Sequence, residues 1–573
     1  VAAPAIRRRP PGDASALPDA LHPVLRRVYA ARAVRSAAEL ENSLGRLHPP
    51  TALGGLERAV DLLVEALAGE RRMLIVGDFD ADGATSCALM LRALRAFGAR
   101  HVDYLVPNRF AYGYGLTPEI VEVAARRDPH LLITVDNGIS STEGVRSARA
   151  RGMRVLITDH HLPGKRLPDA DAIVNPNLAK DPFPSKHLAG VGVAFYVMLA
   201  LRARLRRRGG FEARGTAEPN LARLLDLVAL GTVADVVPLD HNNRILVRQG
   251  LNRIRAGHCV PGVRALLELA GRQPHRITAA DLGFAVAPRL NAAGRLDDMS
   301  LGIECLLADE QSGARRMAAA LDDLNRERRE IEADMQAGAM RAIERLHLEE
   351  RELPTGLCLF DEAWHQGVIG ILASRIRERF HRPVIALAPG EGGELKGSAR
   401  SIPGLHIRDV LDALAARHPG LISRFGGHAM AAGLSLSRDR YPPFRVAFDE
   451  EVRRHLSDDD LQGVIHSDGE LTKDELTLDV ARALREAGPW GQGFPEPIFD
   501  GEFRLLRYHL VGGRHLKLSL VPAGGGPGIQ GIAFNAQLPP DPCRRIHLAY
   551  RLDVNLYRGI ESPQLVVEAL EPL

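Results

Sequence analysis

Residues 73–86, MLIVGDFDADGATS, constrain this chain more than any other stretch. Apolar residues 73–76 read as a buried strand and Gly77 breaks the run. Asp78, Asp80 and Asp82 follow at every second position, and Gly83 leads into the helix-like ALMLRAL. Alternate residues of an extended segment point the same way, so three carboxylates converge where a strand ends. Like charges placed so close repel unless cations hold them. A solvated acidic turn is the plain alternative. A calcium loop of EF-hand type is excluded, because its last position, counted from Asp78, is Leu89 rather than Glu.

Downstream, the rhythm is strand, turn, helix. Strand candidates at 73–76, 102–106, 131–135, 155–158 and 172–174 are mostly separated by helical stretches, which argues for a parallel sheet covered by helices. Ligands of such sheets sit beyond the carboxyl ends of the strands, and polar residues collect there. Asn108 and Arg109 follow the second strand in PNRFAYGYGL. Asp136 ends the third in TVDNGIS, and Asp159, His160 and His161 end the fourth in TDHH. Asp235 closes the helical run LLDLVALGTVAD. Several segments delivering Asp or His to one sheet edge outweigh the solvated-turn reading, and His beside Asp suits a borderline divalent ion such as Mn²⁺.

At 573 residues the chain calls for about three or four domains. Its composition is that of a globular protein, and a net charge of +3 permits a nucleic-acid partner without demanding one. Cys87, Cys259, Cys305, Cys358 and Cys543 form no CxxC pair, which argues against a zinc-thiolate site and a disulfide framework. No run of eighteen apolar residues occurs, so no membrane partner and a cytoplasmic location are expected. Residues 309–346 are free of Pro and carry Met317, Leu321, Leu324, Ile331 and Met335 near one helical face, as a long connector helix would. After about residue 458 the pattern changes to short alternating strands with Gly-Pro turns, as in a small barrel. Residues 1–20, rich in Pro, Ala and Arg, are expected to be loosely attached.

GDFDADG, TVDNGIS, DHH and GTVAD, in this order, resemble the motifs of the DHH phosphoesterase family. PNRFAYGYGL, LAGVGVAF and APRLNAAGRLDD resemble its RecJ branch, the single-strand-specific 5′→3′ exonucleases. WHQGVIGILASRI, KGSARSI and RFGGHAMAAG resemble the DHH-associated domain. The likeness runs from about residue 70 onward. With an N-terminal extension and helical segment (1–67) before it and a connector helix (306–350) after, it implies a parallel-sheet catalytic domain (68–305). A smaller α/β substrate-binding domain (351–457) and an OB-type barrel (458–573) complete the α/β architecture.

The same resemblance implies hydrolysis of single-stranded DNA to 5′-mononucleotides with two divalent cations, Mn²⁺ or Mg²⁺, in repair and recombination. Asp80, Asp82, Asp136, His160 and Asp235 would be ligands, Asp136 bridging both ions, with Asp78 coordinating or just behind. His161 would face the scissile phosphate and Asp159 would orient an imidazole. Arg109, Arg289, Asn291, Arg375, Ser398, Arg400, Arg424, Gly426, Gly427 and His428 match positions that hold the 5′ phosphate and backbone. An enclosed path would admit a single strand and exclude a duplex. A single-strand-binding protein and a RecQ-type helicase are the partners implied, for a monomer. The alternatives are a phosphodiesterase of short oligonucleotides or cyclic dinucleotides and, last, an inactive DNA-binding scaffold.

Overall fold

The computed structural model describes residues 4–107, 115–345, 353–513, 515–536 and 544–573. They form two compact units. One comprises Pro11–Asn325 with Arg482–Glu496, and the other Val1–Pro10, Arg326–Ala481 and Pro497–Leu573.

The first unit is built on five parallel strands, β2 (Met73–Gly77), β3 (Val102–Leu105), β4 (Leu131–Val135), β5 (Arg154–Thr158) and β6 (Ala172–Val174), in the order β3-β2-β4-β5-β6. Every residue of β2 and β4 is buried. Met73, Ile75, Leu131 and Ile133 belong to one apolar core and Leu74, Val76 and Leu132 to another. Two-sided burial explains why these strands read as continuous apolar runs rather than as alternation. The expected strands at 102–106 and 155–158 are shifted by one residue at one end.

The segment Arg482–Glu496 packs with this first unit, although its composition placed it with the barrel. The reason is aromatic. Trp490 and Phe494 stack with ring centroids 5.1 Å apart, and Tyr29 lies 6.0 Å from Trp490. Arg248 donates to the carbonyls of Glu486 and Gly488, and Tyr29 donates to that of Ala487 at 2.8 Å.

The helix Gln311–Arg345 is continuous over 35 residues and runs from the first unit into the second. The second unit holds a mixed sheet in the order β10-β11-β9-β8-β7, from β7 (Leu357–Phe360), β8 (Val384–Pro389), β9 (Glu394–Arg400), β10 (Arg424–Gly427) and β11 (Ala431–Ser437). It also holds a closed five-stranded barrel, β13-β14-β15-β17-β16, made by β13 (Phe499–Val511), β14 (His515–Pro522), β15 (Ile529–Ala533), β16 (Arg545–Tyr557) and β17 (Ile560–Pro572).

The N-terminal stretch is not loosely attached. β1 (Ala5–Arg8) pairs in parallel with β12 (Val464–Ser467), and Arg8 forms a two-pronged bond to buried Asp500 at 2.9 and 2.8 Å. The Pro-rich composition hid this, because backbone pairing depends on a partner more than 450 residues away in sequence and not on local propensity.

Candidate metal centre

Asp78 and Asp80 share one group with Asp136, while Asp82 lies in another with His160 and Asp235, because the chain turns helical at Ala81 and the extended alternation stops there. Asp78 accepts the amide of Phe79 at 2.7 Å. Asp80 caps the helix Ala81–Ala96, its Oδ1 accepting from the amides of Asp82 and Gly83 at 3.0 Å each. This is the usual task of an N-cap aspartate, and it leaves Oδ2 for a cation. Asp82 is held from a distant segment. Its two oxygens accept the amides of Gly190 and Val191, at 2.6 and 2.9 Å, and so cap the helix Gly190–Arg207, whose own N-cap residue, Ala189, has no side-chain acceptor.

Asp136 follows β4, the central strand, in a left-handed backbone conformation with φ of 61°. Asp tolerates this region better than most residues. Its carboxylate lies 3.0 Å from His160 Nε2, and Asp235, at the end of the helix Leu225–Ala234, lies 3.4 Å from the same nitrogen. Asp159 is the organiser of the next turn. Its Oδ1 accepts from the amides of His160 and His161 and faces His161 Nδ1 at 2.8 Å, while Oδ2 accepts the amide of Ile139 at 2.9 Å.

Three overlapping groups result: Asp78, Asp80 and Asp136; Asp82, His160 and Asp235; Asp136, His160 and His161. Within each group the ligand atoms all lie within 4.8 Å of one another. Burial pushes the Asp82 carboxyl up to about 7, with the charge of Asp80 adding to it and the two amides opposing. Burial, then the charges of Asp82 and Asp80, raises Asp136 and Asp235 well above the usual carboxylate range. His161 is held up at about 9: burial lowers it, but Asp159, Asp235 and Asp78 outweigh that. Asp159 in turn lies below its ordinary value, because His161, His160 and the Ile139 amide overcome its burial. Carboxylates that repel one another in a dry site, with imidazole among them, fit divalent cations. Oxygen and nitrogen donors without thiolate suit Mn²⁺ or Mg²⁺.

Sequence reasoning missed several residues that shape this site. Asn175 donates to the carbonyl of His161 at 2.9 Å and Asn177 donates to that of His160, so the two histidines are gripped from both sides of the turn. The signal was the NPN triplet after β6. Gly190 and Gly231 are small because the site needs it: a Cβ would lie 2.5 Å from Asp136 Cβ at the first and 2.8 Å from Asp82 Oδ1 at the second.

Of the expected phosphate-reading residues, Arg109 lies outside the described residues. Arg289 is buried in an ion pair with Asp322 at 2.8 Å. Asn291 accepts the amide of Ala81 at 2.8 Å and thereby steadies the aspartate loop. Arg375 pairs with Glu332 at 3.0 Å and Glu378 at 3.3 Å. Each of these three is engaged within the protein, because a long-range partner that sequence spacing cannot reveal reaches it first.

In the second unit, Arg400 and Ser398 stay together at 2.9 Å, and Ser374 Oγ lies 3.2 Å from Arg400 Nε. The partners of this guanidinium are hydroxyls and a carbonyl. Burial pulls its pKa down, and Arg377 adds to that. Gly426 pairs with Gly433, which pairs with Ser398, so a bare strip of backbone crosses the sheet beside Arg400. RFGGH is a strand entering a tight hairpin, not a loop: Gly427 has φ of 144°, and a Cβ there would lie 2.4 Å from the carbonyl oxygen of Ala431. Arg424 and His428 are exposed.

The N-terminal domain of the DHH family matches residues 72–232, the DHHA1 domain residues 354–454 and the RecJ OB domain residues 467–569. The chain is 60% identical over 571 residues to the single-stranded-DNA-specific exonuclease RecJ of Dickeya dadantii, covering 99% of each. It is 56% identical to that of Escherichia coli K12, again covering 99% of each. The crystal structure of RecJ in complex with Mn²⁺ from Thermus thermophilus is similar with a TM-score of 0.81 at 30% identity, over 99% of this chain and 79% of that one. A second structure of that protein holds Mg²⁺. The chain belongs to the DHH family, in its RecJ branch of single-stranded-DNA-specific exonucleases.

Proposed function

We infer that this chain is a metal-dependent exonuclease specific for single-stranded DNA, and we propose that it works from the 5′ end and releases 5′-mononucleotides. One observation carries the reading: three overlapping Asp and His groups, with ligand atoms within 4.8 Å of one another, at the carboxyl edge of a parallel sheet. Asp78, Asp80 and Asp136 form one seat for a cation and Asp82, His160 and Asp235 another, and the third group, Asp136, His160 and His161, links the two. Two divalent cations, when bound there, would acidify a water and offset the charge of the phosphate. In the hydrolysis, a water oxygen bonds to phosphorus and the bond from phosphorus to the 3′ oxygen of the terminal nucleotide breaks. That oxygen takes up a proton, and the shortened strand keeps a 5′ phosphate.

His161 serves as hydrogen-bond donor to the phosphate, with Asp159 fixing its ring through Nδ1. Arg400 and Ser398 read the 5′ phosphate, since a guanidinium whose hydrogen-bond partners among the described residues are neutral keeps its charge for an anion. The OB-type barrel holds the rest of the strand. Bacterial DNA repair and recombination in the cytoplasm is the setting such a reaction serves, with a helicase of the RecQ kind and a single-strand-binding protein supplying the strand.

The test is incubation with Mn²⁺ or Mg²⁺ and 3′-labelled single-stranded DNA, beside the blunt duplex and an RNA copy. Metal-dependent shortening of the single strand from its 5′ end supports the proposal. Cleavage confined to very short oligonucleotides, or tight binding without cleavage, overturns it.

A further inference from the structure

Asp82, His160 and Asp235 come from three separate stretches of chain, and one short segment, residues 185–187, is tied to the backbone behind all three. Asn243, in the first turn of the helix His241–Arg255, is fully buried. Its side-chain amide donates to the carbonyls of His187 at 2.6 Å and Pro238 at 2.9 Å. Pro238 follows Asp235 by three residues, and His187 precedes by three Gly190, whose amide holds Asp82. One NH₂ group thus joins the loop after Asp235 to the loop that fixes Asp82. Asn243 Oδ1 has no hydrogen-bond partner among the described residues, so the two donors are what this buried amide supplies. A carboxylate has no donor and a hydroxyl only one, and neither could bridge two carbonyls.

The third ligand is reached from the same segment. Lys186 Nζ donates to the carbonyls of Pro176 at 2.8 Å and Asp181 at 2.6 Å. Pro176 stands between Asn175 and Asn177, which donate to the carbonyls of His161 and His160. Ser185 donates to Asp240 at 2.6 Å, and Asp240 caps the helix that carries Asn243. Loops are the most mobile parts of a fold, whereas a metal seat needs its ligands within about 0.5 Å of working geometry.

We propose that Asn243 and Lys186 are positioning residues for one cation seat only, bracing the loops of Asp82, His160 and Asp235 against residues 185–187. The other seat is set by different means: Asp78 and Asp80 follow β2, Asp136 follows β4, and Asn291 steadies the aspartate loop. The two seats therefore respond differently when the brace is cut. This rests on the reading of the two groups as cation seats, and it needs no DNA to be tested.

The test counts Mn²⁺ bound to the whole protein from the loss of the free ion's electron paramagnetic resonance signal. The wild type is expected to show two sites. In Asn243→Leu and in Lys186→Met one site keeps its affinity and the other weakens about 10- to 100-fold. Lys186→Arg, which restores a donor, keeps both. Asp235→Asn identifies the seat: it weakens the same site, and Lys186→Met added to it leaves the remaining site unchanged. The metal-free thermal midpoint checks the fold, and should Asn243→Leu not fold, Lys186→Met decides alone. Equal weakening of both sites, or of neither, overturns the proposal. Fewer than two sites in the wild type would overturn the reading of the two seats and the proposal with it, a result distinct from two intact sites in the variants.

Discussion

Asp159 Oδ1 lies 2.8 Å from His161 Nδ1 and at the same time accepts the backbone amides of His160 and His161. One carboxylate thus sets both the ring and the peptide of the histidine pair. Asp159→Asn keeps the shape but removes the charge that holds the imidazole. A loss of about 10- to 100-fold in turnover on single-stranded DNA is expected, the range seen when a residue behind a metal ligand is changed. Steady-state rates at saturating Mn²⁺ check this; an unchanged rate would remove Asp159 from the machinery.

Asp136 is buried and surrounded by the charges of Asp82, Asp80, Asp235 and Asp78. Asp136→Asn suits the left-handed backbone, because Asn also tolerates positive φ. Hydrolysis should vanish while the metal-free protein melts no earlier than wild type. Mn²⁺ at a hundred times its dissociation constant should stabilise the wild type by about 2.7 kcal/mol, and the variant by clearly less. Melting curves with and without metal make the comparison.

Arg400→Ala removes a cation whose partners are Ser374, Ser398 and the carbonyl of Ala399. A charge-assisted bond to a phosphate contributes about 1.5–3 kcal/mol, so the affinity for 5′-phosphorylated strands should fall about 10- to 100-fold. The affinity for 5′-hydroxyl strands should barely change. Equal losses on both would show a general charge effect and exclude a role in reading the 5′ end.

Asp226 lies away from the metal residues, in the first turn of the helix Leu225–Ala234, and burial raises its pKa to about 6. One oxygen accepts the amide of Val260 at 2.7 Å, and the other has no hydrogen-bond partner among the described residues. The folded protein holds this proton more tightly than the unfolded chain, so stability is lost as pH rises from about 4 through about 6. Asp226→Asn can still accept from Val260 and carries no charge. It should therefore be more stable than wild type by about 2–3 kcal/mol at pH 7.5, and by much less at pH 4. Urea titrations at the two pH values provide the measurement.

Much of the site was legible because its geometry is local. A buried strand, a Gly and a cluster of aspartates put carboxylates at the sheet edge, although the helix that starts at Ala81 takes Asp82 into a different group from Asp78 and Asp80. The parallel sheet was legible from strands buried on both faces, and the barrel from alternation. What escaped were residues whose role depends on distant partners. Asn291 reaches the amide of Ala81, 210 residues away, and Asn175 and Asn177 clasp the histidine turn. Arg289 and Arg375 have acidic partners, Asp322 and Glu332, that sequence spacing does not reveal.

The sequence by itself thus determined the sheet, the carboxylates at its edge and the order of the domains, because strand and helix periodicity and turn chemistry act over a few residues. Only the tertiary structure decided which acidic partners Arg289 and Arg375 have, how Asp82 comes to cap the helix Gly190–Arg207, and that the stretch Arg482–Glu496 belongs with the first unit. It also left Phe284 in water. Each of these is settled by which side chain arrives first at a buried charge, a bare helix end or an apolar surface, and that competition is resolved only when the chain has folded.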